Sequence, residues 1–84
     1  MVIKFGKEPD PAKRIRLGQG NRIRSTRKLR QMSIEDFAAA VGVTPGAVSQ
    51  WETGRFAPRQ HVQVKIATVL DVPWSSLFGL DEVA

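Results

Sequence analysis

Apolar residues recur at helical spacing along this 84-residue chain, and the stretches that carry them are bounded by start and stop signals. Ile34, Phe37, Ala38 and Val41 fall three and four apart, which predicts a helix with one apolar stripe. Ser33 stands before it as a hydroxyl cap for the first free backbone N–H groups. Asp36, three positions on, puts a carboxylate at the positive helix end. Gly42 follows as a residue suited to the left-handed conformation that ends a helix, and Val43 turns inward. Thr44-Pro45 then opens a second helix, a cap followed by proline where no N–H is missed. Val48, Trp51 and Glu52 share its inward side, so Trp51 is read as core, and Gly54 closes it. Pro58 blocks continuation. Val62, Ile66, Val69 and Leu70 mark a helix from about Gln60 to Leu70. Pro73 opens a short last helix holding Trp74, Leu77 and Phe78 before Gly79.

Upstream, Ile23 is the clearest core position of a helix from about Gln19 to Arg30. Gly18 and Gly20 weaken its continuation toward the N-terminus. The pattern predicts an all-α fold of five helices over residues 17–80. Residues 1–16 are read as a basic arm and 81–84 as a frayed tail. Within the arm, Asp10-Pro11 is itself a start signal that allows an extra helical turn.

The second and third helices, each about eight to ten residues, are too short to stand alone. Joined by a tight Gly42 turn, they have the layout of a helix-turn-helix, the unit that sets its second helix in the major groove of DNA.

Composition narrows the class. A chain that is 42% hydrophobic can bury one modest core. It has no cysteine, hence no disulfide framework and no thiolate metal site, which fits a reducing cytosol. No apolar run has membrane-spanning length, and the start MVIKFGKEPDP has no signal-peptide core. The net charge of +5 is unevenly spread. Residues 1–31 hold ten Lys or Arg against Glu8 and Asp10, whereas residues 32–84 hold Arg55, Arg59 and Lys65 against six acids. A basic N-terminal third beside a helix-turn-helix points to phosphate contact. A solvated basic helix face is the alternative.

Catalytic signals are missing. His61 is the single histidine, with no second His or Cys to complete a metal site. The serines lack an elbow motif or an oriented base. Gly18-Gln19-Gly20 is too short for a phosphate-binding fingerprint. No enzyme activity, cofactor, metal or small-molecule ligand is expected.

From about Gly18 to Gly79 the chain resembles the lambda-repressor-like helix-turn-helix family of Xre, Cro and C1 type. RIRSTRKLRQMS, DFAAAVGVTPGAVSQWETGRFAP and KIATVLDVPWSSLFG carry the resemblance. It implies a five-helix DNA-binding domain, usually a homodimer on a two-fold symmetric operator, as in phage repressors and bacterial regulators. It places Gln50 where the family reads a base edge, and a Gln amide suits adenine N6 and N7. Pro45, Gly46, Ala47 and Ser49 complete the expected reading face. They are poor in donors, so thymine methyl contacts or DNA shape would have to contribute.

Phosphate contacts are expected at Ser33, Thr44, Arg55, Arg59 and Arg22. Lys13, Arg14 and Arg16 of the arm are expected to reach the duplex or its minor groove. Arg27 and Glu52 stand where the family often pairs a structural ion bridge. Trp74 and Phe56 are the candidate dimer anchors, with core packing the other reading of Trp74. Two positions depart from the family pattern. Ile34 stands where many members use Gln to brace the recognition helix against a phosphate, and Gln60 and Gln63 stand where leucines are common. Besides a transcriptional regulator in the cytoplasm, two readings stay open: an antitoxin-type regulator that also masks a toxin, and a protein-interaction module on the same fold.

Overall fold

The computed structural model describes residues 11–79, and it folds them into five helices with no strand among them. These are α1 (Pro11–Leu29), α2 (Ile34–Val41), α3 (Pro45–Glu52), α4 (Gln60–Leu70) and α5 (Trp74–Leu77). Most of the arm (residues 1–10) and the tail (81–84) lie outside the described residues.

The local signals act as their chemistry dictates. Ser33 Oγ accepts from Asp36 N at 3.0 Å and Thr44 Oγ1 from Ala47 N at 3.1 Å, so α2 and α3 each start on a hydroxyl cap. Pro45 fills the first position of α3. Gly42 ends α2 at φ 91°, and its N–H returns to Ala38 O at 2.8 Å. α4 ends differently, on Asp71 at φ 58°, a left-handed position that aspartate tolerates better than most residues.

The first helix differs from expectation. It begins at Pro11 rather than near Gln19 and runs unbroken through Gly18 and Gly20. Each glycine costs a helix roughly 1 kcal/mol relative to alanine. Gly20 is nonetheless required, because a Cβ there would stand 2.2 Å from Trp51 O and 2.9 Å from Glu52 O. The bare Cα lets α1 lie directly on the C-terminal end of α3, a tertiary gain that outweighs the local loss. One turn earlier, Leu17 lies against Gly54 in the turn that follows α3. Residues 11–16, read as the part of the arm that Asp10-Pro11 allows to be helical, are thus the first turns of α1.

The core draws on every helix. Ile23 of α1, Phe37 of α2, Val48 of α3, Ile66 and Leu70 of α4 and Leu77 of α5 are buried to 1% exposure or less. Burial of each such side chain is worth roughly 1.5–3 kcal/mol. Val62 and Val69, predicted to face inward, are half-buried against this cluster. Trp51 is buried, as its inward spacing requires.

Candidate nucleic-acid interface

α3 is held from behind by α1 and α2 and exposes its opposite side. Val48, Trp51 and Glu52 are buried, while Pro45, Gly46, Ser49 and Gln50 are exposed. The amide of Gln50 makes no hydrogen bond to any described residue. It is therefore available with both a donor and an acceptor. Ala47 is half-buried and packs on the core, while the other four expected base readers are exposed. Thr53 is exposed at the end of the same face, but its hydroxyl is engaged with Ser49 O at 3.0 Å.

Ser33 and Thr44 stand exposed at the starts of α2 and α3. Each hydroxyl oxygen already accepts a backbone N–H, which leaves the O–H free to donate. Capping and phosphate contact are compatible at both. Arg55 and Arg59 are exposed at either end of the stretch between α3 and α4. Arg59 precedes α4, whose N-terminus receives no side-chain cap. Its free N–H groups favour an anion beside that guanidinium.

The arginines of α1 do different work. None of α3, α4 and α5 has a basic residue in its last turn to meet the negative helix end. Arginines of α1 and the residue just past its end supply those cations from outside. Arg16 Nε donates to Gly54 O at 2.9 Å, Arg22 Nε to Leu77 O at 2.8 Å, and Arg30 Nε to Leu70 O at 2.8 Å. Arg30 Nη2 also donates to Asp71 O at 3.2 Å. Arg22, expected on a phosphate, is thus bound to the end of α5. Arg16, expected on an arm, is bound to the turn after α3. Lys13 and Arg14 are exposed on the first turns of α1, so they too are helical rather than arm residues. The capping role of Arg30 went unread in the sequence. Its signal was the missing cation at the end of α4, which a one-dimensional pattern does not connect to α1.

Arg27 and Glu52 meet across α1 and α3 in a bidentate pair, Nε to Oε2 at 2.8 Å and Nη2 to Oε1 at 3.1 Å. Both side chains are below a tenth exposed. Nη1 donates to Met32 O at 2.8 Å, which fixes the link between α1 and α2. The hydrogen bonds that Arg27 donates to the Glu52 carboxylate raise the Arg27 pKa above its ordinary value, against the opposing effect of burial. Arg27 is a cation at any working pH.

Trp74 is about one-third exposed; its Nε1 donates to Gln63 Oε1 at 2.9 Å, and its ring lies 6.1 Å from that of Phe78. Gln63 thus accepts from Trp74 and itself donates to Pro58 O at 3.2 Å, a polar use of a position where leucine is common. Phe56 is 56% exposed on the turn after α3. Among the described residues no cluster of His, Cys, Asp and Glu could hold a metal ion, and no helix is long and apolar enough to cross a membrane.

A short capped helix, a left-handed glycine turn and a second short helix with one open face define a helix-turn-helix. A model of the helix-turn-helix family HTH_3 matches residues 23–77, and the chain belongs to that family of DNA-binding transcription regulators. This is not a family of enzymes. The fold is similar to two crystal structures of the clp gene regulator ClgR from Corynebacterium glutamicum. One is 22% identical with a TM-score of 0.74, covering 80% of this chain and 71% of that one. The other is 23% identical with a TM-score of 0.73, covering 88% and 91%. It is also similar to an HTH_3 family transcriptional regulator from Vibrio cholerae, at 27% identity and a TM-score of 0.74. That match covers 83% of this chain but 39% of the Vibrio chain. No curated protein matches.

Proposed function

We propose that this protein is a sequence-specific regulator of transcription that binds a double-stranded DNA operator, a repressor or Cro-like protein of phage or bacterial origin acting in the cytoplasm. The observation that carries the reading is the open face of α3. Gln50 stands there exposed with an unused amide, and the capping residues Ser33 and Thr44 and the arginines Arg55 and Arg59 are exposed as well. Gln50 reads a base edge in the major groove, and Ser49, Gly46 and Pro45 border it. Ser33, Thr44, Arg55 and Arg59 hold phosphates. The regulator acts as a homodimer on a two-fold symmetric site.

Selection from random duplexes tests this directly. A regulator of this kind enriches one two-fold symmetric sequence, and equal affinity for all duplexes would remove the claim of specificity. Gln50→Ala is expected to cost roughly 1–3 kcal/mol on the selected site and to relax preference at one base pair per half-site. An equal loss on every sequence would show that Gln50 does not read a base.

A further inference from the structure

The stretch between α3 and α4 carries Arg55 and Arg59, and its two ends are tied down differently. At the start, Arg55 N and Phe56 N both donate to Gln50 O, at 2.9 and 3.3 Å. At the far end one residue of α4, Gln63, makes two ties. Its backbone N–H donates to Arg59 O at 2.9 Å, and its side-chain Nε2 donates to Pro58 O at 3.2 Å. Those two carbonyls flank the Cα of Arg59. The peptide joining Pro58 to Arg59 is planar, so holding Pro58 O fixes that plane up to the Arg59 Cα. Holding Arg59 O fixes the next plane. Val62 N also donates to Arg59 O, at 2.8 Å, but no other hydrogen bond among the described residues reaches the backbone of Ala57 or Pro58. The Gln63 side chain is thus the one polar tie just upstream of Arg59.

The Gln63 amide is itself set by its neighbours. An amide can turn over and exchange its donor and acceptor ends. Trp74 Nε1 can only donate, and it meets Gln63 Oε1 at 2.9 Å. Pro58 O can only accept. The two partners therefore admit one orientation, with the oxygen toward α5 and the nitrogen toward the loop. Trp74 lies in turn against buried Phe78, with 6.1 Å between ring centroids. A leucine at position 63 would fill similar space and make neither bond. At the other end of the relay, the Arg59 side chain is exposed and makes no hydrogen bond or ion pair to any described residue.

We propose that Gln63 is a positioning residue for DNA binding. With Trp74 behind it, Gln63 sets the backbone at Arg59 so that the guanidinium is directed at a phosphate before the duplex arrives. Order already present in the free protein is not lost again on binding, which raises affinity. The inference rests on the phosphate role of Arg59 proposed above and names the residues of α4 and α5 that act through it.

A double-mutant cycle between positions 63 and 59 tests this. The contact is to a phosphate, so the full chain is titrated with a mixed-sequence duplex at several salt concentrations, and urea melts are recorded beside each titration. Gln63→Leu should lower affinity about three- to tenfold and flatten the salt dependence, with its melt close to wild type. Gln63→Met, unbranched like glutamine, serves the same purpose if leucine disturbs α4. Arg59→Ala should also weaken binding, and adding Gln63→Leu to it should cost nothing more. Trp74→Phe keeps the ring and removes the N–H. It should reproduce part of the Gln63→Leu loss and add nothing in the Gln63→Leu background. Wild-type binding by Gln63→Leu beside weak binding by Arg59→Ala would overturn the positioning role and leave the phosphate contact standing. A Gln63→Leu loss that persists in full without Arg59 would overturn it too, because Gln63 would then act through the fold at large. Wild-type affinity and salt slope in Arg59→Ala would remove the phosphate contact and the positioning role together. A Trp74→Phe loss that survives in Gln63→Leu would detach Trp74 from the relay.

Discussion

Gly46 stands exposed in the first turn of α3, and the nearest atom a Cβ would meet is Thr44 Oγ1 at 3.9 Å. Nothing in the protein requires glycine there. Its φ is not in the left-handed region, and alanine would favour the helix by roughly 0.5–1 kcal/mol. A residue that costs stability without a packing reason, on the exposed face of α3, suits close approach of a duplex to the α3 backbone, as the proposed function requires. Gly46→Ala is accordingly expected to raise unfolding free energy by about that amount while lowering affinity for the selected operator about five- to tenfold. Denaturant melts and titrations of the same variant separate the two effects. Unchanged affinity would show that the duplex stays clear of this backbone. Gly20 is the opposite case: the carbonyls of Trp51 and Glu52 fill the space a side chain would need.

At the scale of elements, the ion pair between Arg27 and Glu52 decides how α1 and α3 are joined. A buried charge deprived of its partner costs more than the pair contributes. Glu52→Ala should therefore destabilise the domain by about 3–5 kcal/mol in urea melts, a large part of what so small a domain has. Replacing both residues with apolar ones of similar size should recover much of that. If the single variant melts like wild type, the pair is not holding the helices. The helices themselves were legible in the sequence to differing degrees. α2, α3 and α4 were readable because their signals are local: Ser33, Gly42, Thr44-Pro45 and Pro58 act within a turn of where they stand. The start of α1 was not, because Gly18 and Gly20 are helix-weakening by every local measure. What overrides them is a contact between Gly20 and residues more than thirty positions away. The exposed side of α3 followed from helical spacing, apart from Ala47, whose half-burial depends on the neighbouring core. The arginines were least legible. A formal charge in a sequence does not say whether its guanidinium meets a phosphate or a carbonyl, and for Arg16, Arg22 and Arg30 it is a carbonyl.

For the molecule as a whole, this changes where affinity for a polyanion originates. The basic N-terminal third looks like an electrostatic footprint, yet much of its charge is directed inward. The dependence of binding on salt distinguishes the two uses. Each phosphate contact removed lowers the slope of log K against log salt by about one. Arg55→Ala is expected to do so with little effect on stability. Arg22→Ala is expected to leave the slope unchanged and to lower stability by about 1 kcal/mol, the usual worth of such a hydrogen bond. A drop in slope for Arg22→Ala would return that residue to the interface.

The family match begins at Ile23, inside α1, although the helix begins at Pro11. A chain trimmed to the matched span would keep Arg27, Arg30 and nearly all the buried apolar residues. It would lose Arg16 from Gly54 O, Arg22 from Leu77 O, and the seam in which Gly20 lies against the end of α3. The segment that a family pattern delimits and the segment that folds as one cooperative body are therefore not the same length here. The first twelve residues of α1, outside the pattern, secure the turn that carries Arg55 and the last helix.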